Sequence, residues 1–230
     1  GNYSQGYVPP QITDVFRKTN NTYLAPQNFV NYEVGGWLSL LKNKLYADWS
    51  AYLMNGKDEI ISVKLPSGIS ESENAGETRH MGLEYGISYR PAADWDVRVS
   101  ATNAKHRFVN YISSGVNYNG HEMAAAPHFS GSAEVTYKPH EIKGLRLGLE
   151  CRRVGRYYMD NLNQHVYKGY TVANIRVGYE ISHYEIWVNA LNVFDKYYSV
   201  LSAYAPDSGY AYQLGDPRLF TLGVSFRFGK

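Results

Sequence analysis

Apolar and polar residues alternate with a period of two in segment after segment of this sequence, and no apolar run reaches the roughly 18 to 20 residues that a spanning helix needs. A period of two puts successive side chains on opposite faces of an extended strand. In the last segment Phe220, Leu222, Val224, Phe226 and Phe228 share one face and Thr221, Gly223, Ser225 and Arg227 the other. The split recurs for Leu145, Leu147, Leu149 and Cys151 against Arg146, Gly148, Glu150 and Arg152. It recurs again for Met81, Leu83, Tyr85, Ile87 and Tyr89 against Gly82, Glu84, Gly86, Ser88 and Arg90. Further copies start at Leu45, Trp95, Phe129 and Thr171, and looser ones lie near 30–41 and 184–194. The reading is all-β, with nine strands and the tail of a tenth at Tyr3 to Tyr7.

A soluble sandwich also alternates, so the connections decide between the two architectures. Short turns follow Leu41, Tyr89, Tyr137 and Glu180, while long polar loops are expected at roughly 56–78, 107–128, 156–169 and 195–217. Strict alternation of short and long connections is the habit of an outer-membrane barrel, with the short turns on the periplasmic side. Aromatic residues collect at the short-turn rim (Tyr89, Trp95, Tyr137, Tyr179, Tyr184, Phe228), where amphipathic rings suit headgroup depth. A transmembrane barrel also explains the 22 tyrosines beside a mean hydropathy of −0.42, since inward residues are polar. The inward face carries Glu33, Trp37, Asp48, Tyr52, Glu84, Arg98, Glu134, Arg146, Glu150, Arg152 and Arg176, a bulky charged wall in which Glu84 and Glu134 are expected to pair with Arg98 or Arg146.

Net charge is +2 with no long run of either sign, which gives no footprint for nucleic acid. Cys151 stands alone, so no intrachain disulfide or cysteine metal cluster is available, and a lone thiol is expected to be buried. His121-Glu122-Met123-Ala124-Ala125 opens like a zincin helix but lacks a second His at 125. No phosphate loop or nucleophile elbow occurs, so the expectation is no enzyme, no catalytic residue, no resident metal and no cofactor. The first residues, Gly1 to Tyr7, enter partway along a strand. An open edge in lipid costs several kcal/mol per unpaired group, so these strands are expected to close with others in a larger barrel.

Thr221, Gly223, Phe226 and Phe228 resemble the terminal assembly signal that the barrel-assembly machinery reads, although here Gly229-Lys230 follow the last aromatic. Asn189-Ala190-Leu191-Asn192-Val193-Phe194-Asp195-Lys196-Tyr197-Tyr198 and Gly215-Asp216-Pro217-Arg218 resemble the penultimate-strand and last-strand motifs of TonB-dependent outer-membrane receptors. Asn31-Tyr32-Glu33-Val34-Gly35, Asn74-Ala75-Gly76 with Gly82-Leu83-Glu84, and Gly6-Tyr7-Val8-Pro9-Pro10 are similar to upstream motifs of the same family, in family order. Lys143-Gly144-Leu145-Arg146-Leu147-Gly148-Leu149-Glu150 is most similar to iron-chelate receptors of Bacteroidetes-type bacteria.

The resemblance implies the C-terminal part of a 22-strand barrel in the outer membrane of a Gram-negative cell. It also implies a separate N-terminal plug, TonB contacted through that missing part, outer-membrane lipid around the barrel, and uptake of a nutrient such as a ferric siderophore. A passive porin or a small closed barrel enzyme is the alternative. Binding, if these residues contribute, belongs to the long-loop rim, where Tyr111, Tyr118, His121, His128, Tyr157, Tyr158, Tyr204, Tyr210 and Tyr212 crowd together. From these, Tyr118, His121, His128, Tyr158, Tyr204, Tyr210 and Tyr212 are the ligand candidates.

Overall fold

The computed structural model describes residues 1–12, 23–64 and 70–227. In chain order its strands are β1 (Asn2–Val8), β2 (Gln27–Leu40), β3 (Leu45–Lys64), β4 (Ser70–Tyr89), β5 (Trp95–Asn110), β6 (Ile112–Ser113), β7 (Val116–Asn117) and β8 (Phe129–Tyr137). They continue with β9 (Leu145–Val154), β10 (Tyr157–Tyr158), β11 (Val166–Tyr167), β12 (Tyr170–Ile181), β13 (Tyr184–Leu191), β14 (Ser199–Ala205), β15 (Gly209–Leu214) and β16 (Leu219–Phe226). Ten of them form one sheet in the order β1-β2-β3-β4-β5-β8-β9-β12-β13-β16, each antiparallel to its neighbours. The remaining six form three two-stranded hairpins. The ten main strands match the nine and a tail read from the sequence. Among the described residues no ladder joins β1 to β16, so the sheet stays open.

The register carries each face across the sheet. Val224, Ile186, Tyr179 and Leu145 stand in one row, as do Leu222, Val188, Val177 and Leu147. Between them run the polar rows, such as Thr221, Asn189, Arg176 and Gly148. Val188, Leu149, Leu222 and Val224 remain exposed, an apolar surface that would be costly in water. Cys151 shares their face, between Ala133 and Ala173, and is exposed. The expected buried thiol is corrected accordingly, because the apolar face of this sheet meets its surroundings and not a protein core.

At one rim the turns are short, at 41–44, 90–94, 138–144 and 182–183. Gly144 is required there: at φ +90° a Cβ on it would lie 2.0 Å from the carbonyl oxygen of Glu180, whose own N–H donates to Gly144 O at 3.0 Å. The girdle expected at this rim contains a Trp95–Tyr137 stack at 4.5 Å and a Tyr184–Phe226 pair at 4.7 Å. Phe228 lies outside the described residues.

The other rim differs from the sequence reading. No loop spans 56–78, because β3 and β4 stay paired from Leu45↔Tyr89 to Lys64↔Ser70. The 107–128 segment is likewise partly strand, with β5 running to Asn110 and the β6–β7 hairpin beyond it. Alternation fades there because the outward face turns polar, with Asn55, Lys57, Glu77 and Arg79, while the backbone ladder needs no apolar face to continue. The segments after β9 and β13 fold into the β10–β11 and β14–β15 hairpins.

Candidate functional site

The polar faces of β5, β8, β9, β12 and β13 line a groove of about 520 Å³ walled by charged side chains. Its ion pairs are not those expected from sequence. Arg98 bonds Asp96 at 2.9 Å on its own strand, Arg146 reaches across Gly178 to Glu185 at 2.7 Å, and Glu134 lies 3.8 Å from Arg176. Arg176 takes Glu150 at 2.7 Å, and Asn174 donates to the same carboxylate oxygen at 2.9 Å. Residues two apart on one strand share a face, and a glycine opens a diagonal path, so such pairs compete with direct cross-strand partners. The result is a charged wall without an acid-base pair aimed at a common point among the described residues.

The long-loop rim holds two aromatic groups. Phe108, buried with 1% exposure, packs against Tyr111 at 4.9 Å, and Tyr111 stacks on Tyr118 at 5.1 Å. The Tyr111 hydroxyl donates to Glu73, and burial together with that carboxylate pushes its pKa far above the ordinary 10.0. Tyr111 and Tyr157 are therefore structural: Tyr157 is buried and its hydroxyl accepts the Ser202 N–H at 2.8 Å.

The second group centres on the β14–β15 hairpin, where Tyr204 and Tyr210 face each other in register with rings 5.0 Å apart. Tyr212 stacks on Tyr210 at 6.2 Å. His165, absent from the sequence candidates, stacks on Tyr204 at 3.5 Å and meets Tyr210 edge-on at 5.6 Å. Its Nδ1 lies 3.0 Å from Asp160 Oδ2, and the same carboxylate accepts the His165 N–H at 2.8 Å. The signal available in sequence was the Asp160…His165 spacing in a polar loop, which is too common to single out.

Between the groups lies a cavity of about 320 Å³ lined by Tyr118, Met159, Asp160, Asn161, Gln164 and Tyr204. Burial, helped by Glu73 and Asp160, raises the Tyr118 pKa, so that hydroxyl stays a hydrogen-bond donor. Of the seven candidates, Tyr118 and Tyr204 line this cavity, and Tyr210 and Tyr212 extend from it along the hairpin. His121 sits beside Tyr118 at 6.4 Å and contacts Asn161 O through Nδ1 at 3.0 Å. His128 stands apart, bonded to Glu122, which Lys105 also holds at 3.0 Å. Burial opposes ionisation of Glu122, but these two partners outweigh it and hold its carboxyl below the ordinary 4.5. Tyr158 contributes its backbone, its carbonyl accepting the Ala125 N–H at 2.8 Å.

Among the described residues, one group of three has metal-ligand spacing: Asp94, His140 and Glu141, within 4.8 Å of one another on two short turns at the opposite rim. The Asp94 hydrogen bond at 2.7 Å, with help from Glu141, raises the His140 pKa.

A family model described as TonB dependent receptor-like, beta-barrel, matches residues 1–193. The chain belongs to the TonB-dependent receptor β-barrel family. Solved structures with the same fold include the ferric yersiniabactin uptake receptor FyuA from Yersinia pestis, 19% identical with a TM-score of 0.77 over 99% of this chain and 34% of that one. The siderophore receptor PiuA from Acinetobacter baumannii is 19% identical with a TM-score of 0.77 over 97% of this chain and 33% of its own. The copper transporter OprC is 18% identical with a TM-score of 0.79 over 98% of this chain and 36% of its own. The chain thus spans about a third of the length of these receptors. The TonB-dependent receptor barrel is a receptor and transporter family and not an enzyme family.

Proposed function

We propose that these residues are the C-terminal barrel portion of an outer-membrane receptor that takes up a nutrient chelate, a ferric siderophore, with energy delivered by TonB. The observation that carries this reading is a cavity lined by Tyr118 and Tyr204 at the long-loop rim of a TonB-dependent receptor sheet whose inner wall is charged. Tyr118, Tyr204, Tyr210 and His165 offer flat rings and hydrogen-bonding edges to the apolar faces and oxygen donors of a chelate. On this reading the remaining strands, the N-terminal plug and the TonB contact lie in other parts of the receptor. The apolar face meets outer-membrane lipid, and Thr221, Gly223 and Phe226 serve the assembly machinery. The named cargoes of FyuA and PiuA favour a siderophore, whereas that of OprC is copper.

The test is equilibrium binding of ferric chelates to the intact receptor with Tyr204, Tyr210 and Tyr212 all replaced by Ala. A loss of tenfold or more is expected; unchanged affinity removes the hairpin from the binding site. A passive porin would need a lumen open to bulk solutes, and among the described residues no arrangement at the rim favours a barrel enzyme.

A further inference from the structure

Above the apolar band, the inner wall of β3, β4 and β5 carries a chain of titratable groups that neither the ligand cavity nor the ion-pair wall uses. His80 stands opposite His106 in the β4–β5 register, and their Nδ1 atoms face each other at 2.8 Å. The other nitrogen of His80, Nε2, lies 2.9 Å from Glu59 Oε2 and 3.1 Å from Thr78 Oγ1. Thr78 also donates to Glu59 at 2.6 Å. Glu59 reaches this face because Asp58 takes φ +59°, which breaks the alternation of β3 and turns the next side chain inward. The outward residues beside this row, Asn55, Arg79 and Arg107, are polar, so the row lies outside the lipid-facing band. His80 itself is 6% exposed.

The proton count follows from the geometry. With Nε2–H of His80 directed at the Glu59 carboxylate, the Nδ1···Nδ1 contact holds one hydrogen, donated by one ring and accepted by the other. Protonating both rings leaves two N–H groups facing each other with no acceptor and two like charges at contact. Glu59 is the one anion that faces the pair from β3, and Thr78 is its neutral neighbour on β4. On the side of the 118–128 segment, Glu122 is engaged by Lys105 and His128 and does not compensate the pair. Burial and the neighbouring His80 lower the His106 pKa below 6.5, against the pull of Glu59.

His106 is also mechanically placed. Its carbonyl accepts the Met123 N–H at 2.9 Å, and Phe108 next along β5 exchanges bonds with His121 and Gly120. The segment that carries Tyr118 and His121 therefore rests on the edge of β5 beside the imidazole pair.

We infer that the His80–His106 pair is an acid-sensitive latch at the outer mouth, closed while the rings share one proton and released when both are protonated, loosening the 118–124 segment from β5. It operates whatever ligand the rim takes, so its failure and that of the chelate reading are separable.

Hydrogen–deuterium exchange of the intact receptor in micelles, corrected for the intrinsic pH dependence of exchange, tests it. Between pH 7.5 and 5.0 the amides of 104–110 and 118–124 are expected to lose protection tenfold or more, while those of 45–53 and 81–89 keep theirs. His106→Asn, which keeps a hydrogen-bonding group opposite His80 without titrating, is expected to abolish that loss. Protection that persists to pH 5.0 in the wild type, or an unchanged acid loss in the variant, overturns the latch. If the variant does not fold, the 15N imidazole titration of His106 in the wild type decides: a midpoint between pH 5.0 and 6.5 supports the latch, and one outside that window overturns it.

Discussion

Asn192 shows how a sequence motif becomes a physical joint. It is buried to 3% exposure in a left-handed conformation, φ +46°, just past β13. Its Nδ2 donates to the carbonyls of Lys196 and Asp216 at 3.0 and 3.1 Å, and its Oδ1 accepts the Lys196 N–H at 3.0 Å. Its own N–H donates to Asn174 Oδ1 at 2.9 Å, and Asp195 accepts the Arg218 N–H at 2.9 Å. The Asn-Val-Phe-Asp-Lys and Gly-Asp-Pro-Arg runs were legible as motifs; their purpose, to tie the two roots of the β14–β15 hairpin together, is visible only in space. Asn192→Ala strands several of these groups and is expected to cost about 2–4 kcal/mol, read as a lower thermal unfolding midpoint in micelles. A second residue-scale expectation concerns Glu59. Burial works against its charge, but hydrogen bonds from His80 and Thr78 win and hold its carboxyl below 4.5. A depressed carboxyl adds stability above its unfolded pKa and loses it on further acidification. Unfolding between pH 5 and 3 should therefore be less steep for Glu59→Gln than for the wild type. The His106 contribution runs through a separate window, falling away as pH drops below 6.5.

At the scale of the strand, alternation was legible wherever lipid imposes it and silent elsewhere. From Leu145 to Cys151, or from Met81 to Tyr89, one face must be apolar, and the sequence records that requirement residue by residue. Beyond Leu53 and Met81 the outward row turns to Asn55, Arg79, Lys57 and Glu77, the apolar outer face ends, and the ladder continues without a periodic signal. The extended β3–β4 hairpin was missed for that reason, and with it the Asp58 inversion and the imidazole pair. The same asymmetry predicts opposite tolerance on adjacent residues. Leu149→Arg, on the lipid face and 52% exposed, should cost about 2–4 kcal/mol near mid-bilayer. Thr136→Arg, which enters the charged groove, should cost less than about 1 kcal/mol. Reversible urea unfolding into vesicles measures both, and equal costs would mean the faces are assigned wrongly.

Over the whole molecule, two regions are held together by different solvents. The band from the short turns up to Leu53 and Met81 carries its apolar side chains outward, so on the proposed function its partner is lipid, and its inner wall is lined by ion pairs such as Arg176 with Glu150. The mouth has water on all sides and needs a core of its own. Ala75, Phe108 and Tyr111 form it, with Ile61, Tyr118 and Met123 packed around them. Tyr118 belongs both to that core and to the cavity wall, so the site's rigidity depends on a cluster that lipid does not support. Phe108→Ala removes its largest fully buried side chain, and truncating a buried Phe costs about 3–5 kcal/mol. The loss should stay local, since local opening draws only on the contacts of the unit that opens. Amides of 105–124 are thus expected to exchange at least a hundredfold faster in Phe108→Ala, with those of 145–151 and 184–190 unchanged. Chelate affinity should fall with them although Phe108 does not line the cavity. Uniformly faster exchange through the barrel would instead mean that mouth and band unfold as one unit, and the cavity would then owe its shape to the membrane-embedded sheet.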